Sequence, residues 1–350
     1  MSTGSPISQP PPRQEPTSNA EALAKALRMI KVDTPSWKEL RAGGKARRRW
    51  LVYWLLEMPL DGLQWLVFQV LSILPITFVS NFGGMHSRIM VTLFYRDAIK
   101  RALINLRWLE PSWDEARLRR ACMYHFETIG RLKAEFSILH RLLPSGRIVV
   151  ENAELAKKIL AAGPVIVIGT HIGNWETVTP VMKAFGVPGC AVFEPQPSRM
   201  ETRLALQVRF RCSAEGSAAF PRGANALRTA VRWLNDGKVF GLFCDEPVNG
   251  VSAAPFFGRR PHTNSNYALA ARLARMSGAA LLPFHVIRHP GCRFTLRFGE
   301  PITLAPAHGR NPPPLIDDVV RLNAAIEPVI RDNIENWFWL GWGFAGLRYR

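Results

Sequence analysis

The residues best suited to chemistry are His171 and Glu176, which are separated by four residues in the segment PVIVIGTHIGNWE (residues 164–176). An imidazole can accept a proton near neutral pH, and a carboxylate beside it fixes its tautomer and stabilises its charged form. A tight turn that opens a helix at Gly173 and Asn174 would bring the two side chains within hydrogen-bonding reach. We therefore predict that His171 is a general base oriented by Glu176. The backbone amides of Gly173 and Asn174 are candidate donors to an oxyanion.

Simpler interpretations of the same residues remain open. A lone histidine at the end of a strand is more often a structural residue than a catalyst. Glycine followed by asparagine is common in turns, and Glu176 could be no more than a favourable charge in a first helical turn.

The residues before His171 predict the element that positions it. Residues 165–168 are β-branched and are bounded by Gly163 and Gly169, a pattern typical of a strand that is covered on both faces. In open α/β sheets, ligand sites lie just past the carboxyl ends of such strands.

A second apolar run, residues 239–244, is followed by Asp245 and Glu246 and then by the block PFFG (residues 255–258). Asp245 could bind substrate or could be a surface turn residue, and the two phenylalanines could equally belong to the core. Between the two blocks, four arginines could bind phosphate or pair with Asp245, although each also fits a solvated helix face: Arg209, Arg211, Arg222 and Arg228.

The string THIGNWE resembles the H-x4-D/E motif of glycerolipid acyltransferases, and in particular the H-x-G-N-W-E form of the bacterial lipid A secondary (lauroyl and myristoyl) acyltransferases. The second block is similar to that family's strand, acidic loop and P-F-F-G, and the likeness runs over residues 95–340. The resemblance implies a glycerolipid-acyltransferase fold and acyl transfer from a thioester to a lipid hydroxyl. Together with the turn after His171, it gives these candidate substrate-binding residues: Gly173, Asn174, Arg209, Asp245, Phe256, Phe257 and Gly258.

Two departures from the family pattern introduce acids. Glu194 stands where the family usually has an arginine, and Glu246 stands where it commonly has a glutamine. The Trp-rich segment at residues 336–342 lacks the family's usual histidine and basic run. These changes leave the expected chemistry intact and bear on the identity of the acceptor.

The composition indicates an anionic partner at a membrane. The chain has 350 residues, is 47% hydrophobic and carries a formal net charge of +18. Nucleic acid is not expected as the partner, because no zinc-finger spacing, aromatic-basic RNA signature or basic recognition helix occurs. Scattered basic residues accompanied by 11 tryptophans suit an anionic glycolipid at a bilayer interface. The resemblance adds an acyl carrier protein as the donor, and an acyl-CoA is the alternative donor.

Neither a metal nor a nucleotide cofactor is expected. The motif H-x4-E lacks the i, i+4 histidine pair of helical zinc sites. The 5 cysteines are far apart and odd in number, so they indicate no disulfide framework. No Walker A or G-x-G-x-x-G string is present.

The sequence predicts three regions. Residues 1–25 form a disordered tail, since the first 20 or so are rich in Pro, Ser and Gln without apolar periodicity. Residues 26–94 form a basic and apolar membrane-docking region, and residues 95–350 form the acyltransferase domain.

The docking region could dip into the bilayer or cross it. A helix over residues 62–74 would be about 20 Å long, short of the ~30 Å hydrocarbon core, although a span kinked at Pro75 remains possible. A buried core helix is the simpler alternative. The basic residues Lys45 and Arg47 to Arg49 predict that this flank faces the cytoplasm, at the bacterial inner membrane.

The fold class expected is an α/β sandwich around a mainly buried sheet. The predicted strands are residues 165–168, 190–193, 239–244, 280–287 and 294–298. The predicted helices are residues 225–234, 265–276 and 314–334.

We therefore expect a membrane-associated O-acyltransferase that moves a fatty acyl chain to a hydroxyl of a lipid A precursor or related glycolipid. Two alternatives remain: acylation of another phospholipid or glycolipid from acyl-CoA, and a catalytically silent lipid-binding protein. The pair of His171 and Glu176 argues against silence, because a lipid carrier gains nothing from a polar pair at a strand end.

Overall fold

The structure is a computed structural model that describes residues 18–30, 34–196, 198–223, 226–304, 313–344 and 346–349. Helices occupy the N-terminal part, and strands alternate with helices from residue 148 onward. The α-helices are α1 (Asn19–Met29), α2 (Trp37–Ala42), α3 (Gly44–Val52), α4 (Met58–Ile73), α5 (Ile76–Phe94), α6 (Arg96–Leu109), α7 (Glu115–Glu135), α8 (Leu139–Leu142), α9 (Ala153–Ala161), α10 (Val178–Ala184), α11 (Arg199–Cys212), α12 (Ala226–Asn235), α13 (Asn266–Ser277) and α14 (Leu315–Asp332). The strands are β1 (Ile148–Glu151), β2 (Val165–Gly169), β3 (Gly189–Phe193), β4 (Ala218–Pro221), β5 (Val239–Phe243), β6 (Val251–Ser252), β7 (Ala280–His289), β8 (Arg293–Phe298) and β9 (Gly343–Phe344).

Seven strands form the central sheet in the order β1-β8-β7-β2-β5-β3-β4. Neighbouring strands are parallel except β7 and β8, which form an antiparallel pair. β6 and β9 form a separate short parallel ladder. The protein is therefore a mixed α/β fold with a mostly parallel sheet, as the sequence predicts.

The strand β2 lies at the centre of the sheet and is buried along its whole length. Ile166 and Ile168 belong to one hydrophobic core, which includes α12, α13 and α14. Val165 and Val167 belong to a second core on the opposite face, which includes α8, α9 and α11. Because successive side chains of a strand point to opposite faces, a run that is entirely apolar fits a strand covered by helices on both sides.

The register of β2 and β5 determines where the polar residues come together. Gly169 is opposite Phe243 at the carboxyl ends of these parallel strands. His171 and Asp245 each follow their strand end by two residues, so both emerge at the same edge of the sheet.

The predicted strands and helices are confirmed, with ends that differ by up to two residues. The strands β1 and β4 were not predicted. Each has four residues, too few for a clear apolar pattern.

The expected end of the disordered tail at residue 25 is wrong. Residues 1–17 lie outside the described residues, but α1 begins at Asn19, and Ser18 caps it by accepting a hydrogen bond from the amide of Glu21. Ala22 and Ala26, one helical turn apart, are buried against Leu206 and Phe210 of α11. These alanines therefore form the packing face of α1. The polar residues around them made the segment resemble the disordered tail in composition.

The predicted docking region contains α2 to α5 and leaves much apolar surface exposed. Of the 29 exposed large hydrophobic side chains in the described ranges, 20 lie between Leu51 and Tyr95. On α4 the exposed positions Leu63, Leu66, Val70 and Ile73 recur at helical spacing and form one face. Among the described residues, no helix is long and apolar enough to cross a membrane.

The helices α5 and α7 pack closely against each other. A Cβ added at Gly130 would lie 2.2 Å from the carbonyl oxygen of Gly83, and one added at Gly83 would lie 2.4 Å from that of Gly130. The two backbones therefore touch at a point where only glycine fits. This contact attaches the exposed apolar helices to the rest of the protein.

Candidate active site

The turn after β2 depends on two glycines. A Cβ at Gly169 would overlap the rings of Phe284 and Phe243, at 2.5 and 2.8 Å. Gly173 has a φ of +62°, and a Cβ there would lie 2.4 Å from the carbonyl oxygen of Val286. The chain then enters a short 3-10 helix, Trp175–Thr177, close to where the sequence predicts a helix to open.

His171 is buried and pairs with Asp245. Its Nδ1 lies 2.8 Å from Oδ1 of Asp245, and its backbone amide donates to Oδ2 over 2.8 Å. The indole Nε1 of Trp337 donates to the same Oδ2, also over 2.8 Å. Asp245 is fully buried and therefore needs these donors, because a buried carboxylate without partners would be strongly unfavourable.

The carboxylate of Asp245 decides the tautomer of the imidazole. An ionised carboxylate can only accept hydrogen bonds, so we place the proton of the neutral ring on Nδ1. Trp339 Nε1 also lies 3.1 Å from Nδ1, but an indole N–H is only a donor and cannot bond a nitrogen that already carries hydrogen. The lone pair is therefore on Nε2, and this is the tautomer that a general base requires.

Four aromatic rings surround the imidazole. The ring centroids of Phe243, Trp175, Trp339 and Phe338 lie 4.3, 4.7, 5.0 and 6.2 Å from that of His171. They restrict the access of water to the base, which strengthens the electrostatic interaction with Asp245.

The C-terminal segment is bound to the motif by its backbone. The amide of Phe338 donates to the carbonyl of His171 over 2.8 Å, and the amide of Gly173 donates to the carbonyl of Asn336 over 3.2 Å. The Gly173 amide is thus already engaged within the protein, which contradicts its expected place among the oxyanion donors.

Glu176 has a different partner from the one expected. Its two carboxylate oxygens bind Arg209 of α11, at 2.5 Å from Nη2 and 3.1 Å from Nε. Burial opposes the charge of Arg209, but Glu176 outweighs this effect and raises the pKa of the guanidinium. The predicted hydrogen bond between Glu176 and His171 is replaced by the contact with Asp245. Of the alternatives for Arg209, a pair with Asp245 is contradicted, because the guanidinium binds Glu176.

Asn174 is held by a buried ion pair behind the motif. Its Nδ2 donates to Glu135 over 2.9 Å, and Arg288 of β7 forms two bonds with the same carboxylate, at 2.6 and 2.7 Å. Ser80 of α5 donates a further bond of 2.6 Å. Burial opposes ionisation of Glu135, but Arg288 and the other donors outweigh it and lower the pKa of this carboxyl. This network fixes the turn between His171 and Glu176.

A second carboxylate faces the other edge of the imidazole. Glu246 Oε1 lies 3.9 Å from Nε2 of His171. Its Oε2 accepts a bond of 3.3 Å from Asn266 of α13. The base therefore has an acid on both sides, with a bonded contact at Nδ1 and an open gap at Nε2.

Comparisons with known proteins agree with this arrangement of motifs. Residues 44–344, which are most of the chain, match the family described as bacterial lipid A biosynthesis acyltransferase. The chain belongs to this family. It is an acyltransferase.

One solved structure similar to this acyltransferase is PlsC, the 1-acyl-sn-glycerophosphate (LPA) acyltransferase from Thermotoga maritima. The sequences are 15% identical, and the alignment covers 72% of this chain and 97% of that one, with a TM-score of 0.33. A comparison with curated proteins found no match.

The P-F-F-G block of the acyltransferase lies behind the site. Phe256 and Phe257 are both buried, and Phe257 packs against Trp337, the donor to Asp245, with ring centroids 5.5 Å apart. Gly258 is exposed and has a φ of +79°, with no atom within 4 Å of a Cβ position. The two rings thus support the site, and substrate binding by this block stays a prediction.

Several site residues were not found from the sequence. Trp337 and Trp339 come from the C-terminal segment, and Arg288 comes from the end of β7, far from the two motif blocks. Glu135 occurs in a helical segment that resembles the family, but nothing in its surroundings along the chain indicates burial. The signal for Trp337 and Trp339 was the unusual density of aromatic residues at 337–342.

Proposed function

We propose that this acyltransferase moves a fatty acyl chain from a thioester, most simply that of an acyl carrier protein, to a hydroxyl of a lipid A precursor or related glycolipid. The observation that carries the proposal is the pair of His171 and Asp245 at the carboxyl ends of two adjacent parallel strands. The family match supports the lipid class of the acceptor.

The base acts through Nε2. It removes the proton of the acceptor hydroxyl while the hydroxyl oxygen forms a bond with the thioester carbonyl carbon. Asp245 stabilises the imidazolium through Nδ1, the C–S bond then breaks, and the proton passes to the departing thiolate. No nucleophilic side chain is needed, because the acceptor itself attacks.

We further propose that the protein works at the cytoplasmic face of the inner membrane. The exposed apolar residues that begin at Leu51 and continue along α4 and α5 follow the basic residues Arg47, Arg48 and Arg49 of α3. Apolar burial and attraction to anionic lipid both favour binding of such a surface to a bilayer interface.

The deciding experiment compares total lipids of Gram-negative cells that express the wild type, His171→Ala or His289→Ala. His289 is an exposed histidine at the end of β7 and serves as the matched control. We expect a lipid A species that is heavier by one acyl group with the wild type and His289→Ala, and its absence with His171→Ala. If a different lipid gains the acyl group, the acceptor assignment is wrong and the chemistry stands. If no lipid changes, the transferase activity is contradicted.

A further inference from the structure

Glu246 is held in a fixed position at the exposed edge of the site. Asn266 Nδ2 donates to Oε2 of Glu246 over 3.3 Å and to the carbonyl oxygen of Phe243 over 2.8 Å. The same amide thus ties the carboxylate to the end of β5. The Glu246 side chain is 46% exposed, whereas that of Asp245 is fully buried, so Glu246 is the carboxylate that incoming substrate can reach.

The gap between Glu246 and the base has room for the reacting group. At 3.9 Å, Oε1 is too far from Nε2 for a direct hydrogen bond, so the Nε2 lone pair remains available. An acceptor hydroxyl can donate its one hydrogen to Nε2 from about 2.8 Å, with Glu246 beside it and not bonded to it. A carboxylate placed there lies near the proton that Nε2 receives.

We propose that Glu246 is a second catalytic carboxylate, which stabilises the His171 imidazolium from the Nε2 side as the acceptor hydroxyl is deprotonated. The inference rests on the proposed acyl transfer. The proton moves from the hydroxyl to Nε2 while the O–C bond forms, and it leaves for the thiolate when the C–S bond breaks. Glu246 remains ionised throughout, and its charge is complementary only to the protonated ring. Its contribution therefore belongs to the transition state and appears in kcat.

The charged groups around Glu246 determine how this contribution depends on pH. His171 and Asp245 face it from the loops after β2 and β5, Arg209 faces it from α11, and Arg222 faces it from the end of β4. Burial raises the pKa of Glu246, and Asp245 raises it further, against the opposite effects of His171, Asn266 and Arg222. As the pH falls, Glu246 therefore loses its charge at a higher pH than an ordinary glutamate. Its effect on kcat is present above that pKa and is lost below it.

The test is a comparison of Glu246→Gln with the wild-type enzyme in detergent or vesicles, with kcat and KM measured over a range of pH. Glutamine keeps the shape and can still accept from Asn266, so only the charge is removed. We expect kcat to fall roughly 10- to 100-fold at neutral pH, with KM changed by less than about threefold. The ratio of wild-type to variant kcat should approach one as the pH falls through the pKa of Glu246.

Two further variants separate this role from a general effect of charge. Glu154→Gln removes an exposed carboxylate of α9 that lies 2.8 Å from Lys157, so its kcat should stay near the wild-type value. Glu246→Asp keeps the charge and moves it back by one methylene, so its kcat should lie between those of the wild type and Glu246→Gln.

The outcomes distinguish this inference from the proposed function. Wild-type transfer with an unchanged Glu246→Gln variant overturns the inference alone. A kcat ratio that is independent of pH, or an equal loss in Glu154→Gln, also overturns it, because either indicates an indirect effect. A wild-type enzyme that transfers no acyl group to any lipid overturns the proposed function and the inference with it.

Discussion

At the residue scale, three donors satisfy the fully buried carboxylate of Asp245: Nδ1 and the backbone amide of His171, and the indole of Trp337. This arrangement fixes both the position and the tautomer of the imidazole. Glu176 instead binds Arg209 in a two-point ion pair, which connects the motif to α11. Asp245 therefore orients the imidazole, whereas Glu176 fixes the turn to α11.

Substitution of Asp245 should mainly lower kcat, whereas substitution of Glu176 should mainly lower the free energy of unfolding. Asp245→Asn can present an amide N–H to Nδ1 and favour the wrong tautomer, so we expect kcat to fall about 10²–10⁴-fold with the fold retained. Glu176→Gln should lower the free energy of unfolding by about 1–3 kcal/mol, because it weakens the pair with Arg209. Its kcat should fall less. Steady-state kinetics and urea unfolding of both variants check this, and the reverse ranking in kcat would restore Glu176 as the partner of the base.

At the scale of elements, the helices α5 and α7 connect the exposed apolar region to the active site. The hydroxyl of Ser80 in α5 donates to the carboxylate of Glu135 in α7, and Asn174 donates to the same carboxylate. The close approach at Gly83 and Gly130 permits this contact, because bulkier residues would separate the two helices. Helix spacing and the position of the catalytic turn are thus linked.

A methyl group at this crossing should be costly. In Gly130→Ala the new Cβ would lie 2.2 Å from the backbone oxygen of Gly83, so we expect overpacking to destabilise the protein by about 1–3 kcal/mol. Gly62→Ala in α4 is the matched control, because no atom lies within 4 Å of its Cβ position. There, alanine should be neutral or stabilise by up to about 1 kcal/mol. Urea unfolding of both variants tests this, and equal stabilities would show that the two helices can separate freely.

At the scale of the whole molecule, charge and apolar surface are unevenly placed. The net charge is +18, yet the described residues next to His171 include the acids Asp245 and Glu246. Most of the exposed large hydrophobic side chains lie on α3 to α5 and the short helix Tyr53–Glu57 between them. The basic character therefore suits attraction to an anionic surface, whereas the groups next to the imidazole are acidic.

This division predicts where the protein binds a bilayer. The double variant Leu66→Glu with Ile73→Glu changes two residues of α4 that are 52% and 78% exposed, and it should reduce binding to anionic vesicles at least tenfold. The control, Leu227→Glu with Met276→Glu, changes two residues on α12 and α13 with exposures of 47% and 53% and should bind like the wild type. Co-sedimentation at low and high salt measures both. Equal binding by the two double variants would contradict docking through α4.

The sequence alone determined the α/β class, five of the seven strands of the central sheet, three of the helices, and the two blocks that contain His171 and Asp245. These features are local: a β-branched run between glycines and the polar residues after it are visible along the chain. The family followed from the same strings. The apolar stretch at residues 62–86 was also evident, because it contains no formally charged side chain.

Only the tertiary structure decided which groups pair. Glu176 is near His171 along the chain, but the parallel register of β2 and β5 brings Asp245 to the imidazole from 74 residues away. Trp337 reaches that carboxylate across 92 residues, and Arg288 reaches Glu135 across 153. Partners at such separations are chosen by strand order and helix packing, which depend on the burial of the whole core. Their identities therefore cannot be derived from the spacing of residues in one segment.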